Sequence, residues 1–188
     1  MKKLTKLMFI IGLCAVVMSA CTEKNNPSEP SKPDDPTKPE KKAAKAYLDF
    51  QLAVGEDMFA LCAFSIDYLD KEGKVQHYEL KDTTACRLVI ISEGLPAKLG
   101  YNLNITKRDD VDYSQVKDFV VNYKYNYYTG LIDTNGDVMA DGLWGGQKPG
   151  LLMDISQMDK WLKQYDEERK VQKTFEFDAE GKETEGNW

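Results

Sequence analysis

Val121-Asn122-Tyr123-Lys124-Tyr125-Asn126-Tyr127 alternates apolar or aromatic with polar side chains at every step. A β-strand sends successive side chains to opposite faces, so one face carries Val121, Tyr123, Tyr125 and Tyr127 and the other Asn122, Lys124 and Asn126. A helix would scatter the same residues around its circumference. The two-residue period recurs in Tyr101, Leu103 and Ile105 against Asn102, Asn104 and Thr106, and along Met58, Ala60, Cys62, Phe64, Ile66 and Tyr68. Leu88, Val89, Ile90 and Ile91 form a short continuous apolar run, the pattern of a strand buried on both faces. Most of these strands follow one another without helices between them. That order predicts a mainly β domain, an antiparallel β-sandwich that is Ig-like or related.

The turns agree. Asp70-Lys-Glu-Gly73, Asp133-Thr-Asn-Gly136 and Asp178-Ala-Glu-Gly181 share the form D-x-x-G. Asp at the first position and Gly at the fourth suit a type I turn whose glycine closes the hairpin in the left-handed region. Three hairpins are expected, near residues 72, 135 and 180. One segment breaks the period of two: Ile155, Met158, Trp161, Leu162 and Tyr165 recur at helical spacing. Ser156-Gln-Met-Asp159 resembles a capping box, so one short helix is expected near 156–168.

An internal duplication is a further reading. Residues 111–123 slide onto residues 153–165 with Asp, Ser, Gln and Tyr identical. Asp133-x-x-Gly136 then lies over Asp178-x-x-Gly181, and Gly142-Leu-Trp144 over Gly186-Asn-Trp188. The offset moves from 42 to 45 to 44, so residues 111–146 and 153–188 are either two copies of one unit or two segments of similar composition.

The chain of 188 residues has a net charge of −6, and its parts differ. Residues 1–20 carry three lysines and no acid, and residues 21–45 carry six lysines against five acids. The remaining 143 residues therefore hold −10. A domain so acidic is a poor partner for nucleic acid and for an anionic lipid surface. Its single histidine, His77, excludes a His-cluster metal site. About 143 residues suffice for one ordinary core.

The amino terminus has a basic start (Lys2, Lys3, Lys6) and an apolar run over residues 7–18, too short for the roughly 20 residues of a membrane span. It reads as a secretory signal. Met18-Ser19-Ala20-Cys21 follows. This stretch resembles the lipobox of bacterial lipoproteins, with Met18 in place of the usual leucine. The resemblance implies cleavage after Ala20, a diacylglycerol on the Cys21 sulfur and an acylated amino terminus; an ordinary signal cut at the same bond would leave a soluble protein. Pro27, Pro30, Pro33, Pro36 and Pro39 keep a strict period of three, that of polyproline II. Residues 21–45 thus form a tether, up to roughly 75 Å long when extended at about 3.1 Å per residue. Residues 1–20 are the signal and 46–188 the single β domain. Anchor, stalk and small acidic domain together resemble the small envelope lipoproteins of Bacteroidetes-type bacteria. That likeness implies a lipid-anchored protein of the outer membrane, facing the periplasm or the medium. Thr22, where an aspartate would retain some lipoproteins at the inner membrane, fits that placement.

Four candidate chemistries stand in the domain. Cys62 and Cys86 sit on inward faces in a disulfide-permissive compartment. They read either as a bond closing a loop of about 25 residues, worth about 3 kcal/mol, or as two buried thiols. Asp133, Asn135, Asp137 and Asp141 supply oxygens at positions 1, 3, 5 and 9 of a calcium-type loop, yet Val138 and Trp144 stand where an EF-hand needs glycine and glutamate. Calcium is the one candidate cofactor. Tyr123, Tyr125 and Tyr127 read as core, whereas Tyr128 and Trp144 are the aromatics expected to reach a ligand such as a glycan. Carboxylates are abundant, but no spacing selects a hydrolase pair. No G-x-S-x-G, Walker loop or G-x-G-x-x-G after a strand is present. The leading expectation is a non-enzymatic binding or adhesion module with an envelope-protein or glycan partner. A glycan-binding accessory lipoprotein is the alternative, and a carboxylate-based hydrolase the third.

Overall fold

The computed structural model describes residues 41–188. The signal segment, Cys21 and the tether up to residue 40 lie outside the described residues. None of the described helices is long and apolar enough to cross a membrane.

The domain is mainly β, in two antiparallel sheets. In chain order the elements are β1 (Ala43–Val54), α1 (Glu56–Leu61), β2 (Cys62–Leu69), β3 (Val75–Leu80), β4 (Ala85–Ile91), β5 (Ala97–Lys107), β6 (Asp118–Asp133), β7 (Val138–Asp154), α2 (Met158–Glu168), β8 (Gln172–Phe177) and β9 (Glu183–Gly186). One sheet has the order β4-β1-β6-β7, the other β3-β2-β5-β8-β9. An immunoglobulin constant domain places its first two strands side by side. Here β1 and β2 lie in opposite sheets, so the sandwich is of the related kind. β1 starts at Ala43, ahead of the apolar shift at Ala46, because its pairing with β6 runs on to Asp133.

The core is where the period of two placed it. Leu48, Phe50 and Leu52 of β1, Phe64 and Ile66 of β2, Leu99, Tyr101 and Leu103 of β5, and Val121, Tyr123 and Tyr127 of β6 are all buried. Tyr101 joins the layers: its ring centroid lies 4.3 Å from Phe50 and 5.5 Å from Tyr127. Tyr125 is half-buried against this cluster.

All three D-x-x-G hairpins form. In each, one carboxylate oxygen of the aspartate accepts the backbone N–H groups two and four residues on, at 2.8–3.0 Å. The glycine N–H donates to the aspartate carbonyl. Gly73, Gly136 and Gly181 have φ of 77°, 91° and 86°, which a side chain would strain.

The expected helix is present as α2, and it carries the chain from β7 in one sheet to β8 in the other. Met158, Trp161 and Tyr165 are its buried residues. Trp161 meets Phe119 edge-on at 6.5 Å and Tyr165 meets Tyr123 edge-on at 6.3 Å. The Tyr165 hydroxyl donates to the Leu103 carbonyl at 2.8 Å and accepts from the Val171 N–H at 3.3 Å. The capping box does not form. A 3-10 turn, Ile155–Gln157, precedes the helix instead, capped by Asp154 accepting from the Ser156 N–H. The aligned segment opens on the same device: Asp112 caps the 3-10 turn Tyr113–Gln115 through Ser114. After this shared turn the two segments diverge, into strand β6 in one and helix α2 in the other.

Two more expectations are corrected. Residues 58–61, assigned to a strand, belong to α1. This single turn takes the chain between sheets, with Glu56 and Asp57 at its positive end and only Met58 buried, so it has too few inward residues to show a helical period. The run at residues 88–91 is not buried on both faces. β4 is an edge strand, and Val89 and Ile91 are 54% and 42% exposed on its outer side. Of the two readings open for Cys62 and Cys86, the structure has the second: both are free thiols.

Candidate functional site

The outer face of the four-stranded sheet carries the densest polar constellation. β1 turns Leu48, Phe50 and Leu52 inward, so Tyr47, Asp49, Gln51 and Ala53 face out. Register places Arg87 of β4 and Asn126 of β6 on either side of Gln51, and Val89 and Tyr128 on either side of Asp49. Asp49 is only 8% exposed although it sits on an outer face. The Arg87 guanidinium covers it: Nε donates to both carboxylate oxygens at 3.0 and 3.1 Å, and Nη2 donates at 2.6 Å. Gln51 Nε2 adds a contact at 3.3 Å. A forked pair of this kind fixes the arginine plane. The hydrogen bond to Asp49 raises the Arg87 pKa further, so the cation is permanent. The Arg87 side chain is still 65% exposed, which leaves part of its donor edge free for a ligand.

Beside it lies a shallow depression of about 570 Å³. Ala53 and Ala85 line it with Gln51, Arg87, Lys124 and Asn126. Small side chains next to two amides and two cations make a shelf suited to a hydroxylated or anionic group. Tyr128, half-buried in the next row, pairs with Asp49 on one side and Leu143 on the other. Trp144 pairs with Tyr127 along β7, and only its backbone is described. The sequence singled out Tyr128 but missed Asp49, Arg87, Gln51 and Asn126. Their only local signal is a polar residue at an outward position of a strand. The pairing that joins Asp49 to Arg87 spans 38 residues.

The opposite outer face holds the single histidine. His77 Nδ1 lies 2.7 Å from Asp67 Oδ1, and Asn104 Nδ2 donates to Asp67 Oδ2 at 2.7 Å. The bond to Asp67 raises the His77 pKa. Burial pushes Asp67 up, but the hydrogen bonds from His77 and Asn104 outweigh it and hold the carboxyl below its usual range. His77 Nε2 faces Glu79 at 3.5 Å, and among the described residues no hydroxyl or thiol is hydrogen-bonded to the imidazole.

At the calcium-type loop, Asp133 is committed to its turn: Oδ1 accepts the Asn135 and Asp137 N–H groups. These backbone bonds, Asp137 first, outweigh desolvation and lower its pKa. The Lys41 ammonium lies 3.6 Å from Asp133 Oδ2 and 3.4 Å from Asp137 Oδ2. Asp141 pairs with Gly130, with only its backbone described. Among the described residues no group of three His, Cys, Asp or Glu side chains could hold a metal ion. Burial pushes the Cys62 thiol up to about 12 and the Cys86 thiol to about 11, so neither is a thiolate nucleophile at neutral pH.

No protein family, curated protein or solved structure matches this chain.

Proposed function

We propose that the protein is a lipid-anchored envelope lipoprotein whose β-sandwich acts as a non-enzymatic binding module, through the outer face of the four-stranded sheet. The observation that carries this reading is Asp49, buried on an outward face and holding the Arg87 fork beside Tyr128 and a shelf of small residues. A structural ion pair needs no such shelf. The ligand chemistry this surface suits best is a glycan: amides and a planar guanidinium hydrogen-bond hydroxyls in pairs, and a tyrosine gives a ring an apolar surface. Attachment through acylated Cys21 and the proline stalk would hold the face clear of the outer membrane, toward the periplasm or the medium.

The test is a glycan array with the mature chain carrying Cys21→Ser, alongside Arg87→Ala and Tyr128→Ala versions. Binding to a defined glycan, weakened at least about tenfold by either substitution, supports the proposal. Binding unchanged in both substituted proteins, or none to any glycan or envelope protein tested, removes it. Mass spectrometry of the cell-derived protein checks the anchor: diacylglycerol on Cys21 is expected, and an unmodified Cys21 overturns that part.

A further inference from the structure

A second recess lies between the sheets rather than on a face. It has a volume of about 190 Å³ and is lined by Tyr101, Tyr125 and Tyr127, with Gly145 of β7 and Lys170 and Lys173 among its other residues. Tyr101 is 1% exposed and Tyr127 6%. No hydrogen bond within the described residues occupies either hydroxyl or that of Tyr125, and none of the three is a sealed, unsatisfied atom, so each meets solvent. Tyr165 in the same core is bonded instead to Leu103 and Val171. Three phenol hydroxyls on one recess are therefore open to water and to a ligand that displaces it.

Gly146 gives the Tyr125 ring its room: a Cβ there would lie 2.6 Å from the ring and its hydroxyl. The rim is charged but balanced. Lys170 is paired with Asp166 at 2.7 Å and Lys173 with Glu185. Burial and the Glu185 carboxylate push Tyr127 up to about 12, and burial raises Tyr101 further, so these two phenols stay protonated. A bound anion would have to compete with Asp166 and Glu185 for the two ammonium groups. A neutral hydroxylated molecule would not. The volume falls below the ~300 Å³ at which drug-sized sites begin, so it suits one ring and not a chain.

The geometry points to a site for a single neutral sugar ring, held by the hydroxyls of Tyr101, Tyr125 and Tyr127. The ring is either a free monosaccharide or the terminal residue of a glycan. This site is separate from the outer face proposed above, and Arg87→Ala leaves it intact.

The full chain is titrated with glucose, galactose, mannose, fucose and N-acetylglucosamine, followed by tyrosine fluorescence and calorimetry, with sodium phosphate as the anionic control. Saturable binding of at least one sugar is expected, with no binding of phosphate. Tyr125→Phe removes only a hydroxyl from a half-buried ring and should weaken binding about tenfold. Gly146→Ala should displace the Tyr125 ring and abolish binding, with the far-ultraviolet circular dichroism spectrum unchanged. An oligosaccharide ending in the same sugar distinguishes the two sources: equal binding assigns the glycan terminus, and loss of binding assigns the free sugar. The inference is overturned if no sugar binds, if phosphate binds as well as sugar, or if Tyr125→Phe binds as the unaltered chain does. Loss of sugar binding in Arg87→Ala with Tyr125→Phe unaffected would transfer the site to the outer face.

Discussion

Residues 112–137 and 154–182 begin and end alike and differ in the middle. Each opens with an aspartate capping a 3-10 turn through the N–H of a serine two residues on. Each ends in an aspartate–glycine hairpin with the same pair of side-chain bonds. Between these points one is the 16-residue strand β6, and the other is the 11-residue helix α2 followed by β8. Turn chemistry is local, because an aspartate reaches its own backbone whatever lies beyond it. The choice between helix and strand is made by apolar spacing against a partner. Val121, Tyr123 and Tyr127 alternate to meet the facing sheet, while Met158, Trp161 and Tyr165 recur at helical intervals to span from one sheet to the other.

The largest effect should come from breaking the helical half. Trp161→Ala removes the ring that meets Phe119, and a loss of about 3–5 kcal/mol is expected from such a core truncation. Urea denaturation reads it, and a loss below about 1 kcal/mol would mean that α2 is not a packed part of the core. The hairpins give the next effect. Alanine at a positive φ costs about 1–2 kcal/mol, which Gly136→Ala should show, since an added Cβ there meets nothing within 4 Å. Gly181→Ala should cost more, because its Cβ would lie 2.8 Å from Leu131 Cδ1 and 3.2 Å from Ala43 Cβ. Equal melting temperatures for the two proteins would erase that distinction.

The smallest effect should be the most alike. Asp112→Ala and Asp154→Ala remove matching caps and should lower the melting temperature by the same small amount. Hydrogen bonds from Ser114 and Ser156 hold both carboxyls below their ordinary range. A depressed carboxylate stabilises the fold above the unfolded pKa, near 3.9, and that contribution is lost as pH falls through the folded value. The two deficits should therefore be full at neutral pH and shrink together below about pH 4. A deficit in only one protein would show that the shared turn does different work in the two settings.

The same division explains what could be read from the sequence. The hairpins, the core face of β6 and α2 were legible because their signals lie within a few neighbouring residues. α1 was not, because one turn with a single buried side chain has no period to detect. The fate of Cys62 and Cys86 was not, because it depends on how the fold sets their two Cβ atoms in space, which no local signal reports. The outer-face site was half legible: Tyr128 stood out as an aromatic, but Asp49 and Arg87 meet only through the β1–β4 pairing. The tyrosine recess was hidden because its residues looked like ordinary core.

The central claim is that the outer face of the four-stranded sheet is the binding surface. Its most direct test is a set of amide chemical-shift perturbations on the isotope-labelled mature chain, titrated with a glycan retained on the array. Shifts centred on Asp49, Gln51, Arg87, Asn126 and Tyr128 are the expected result. Shifts centred instead on Asp67, His77 and Asn104 of the opposite face, with none around Arg87, would contradict it.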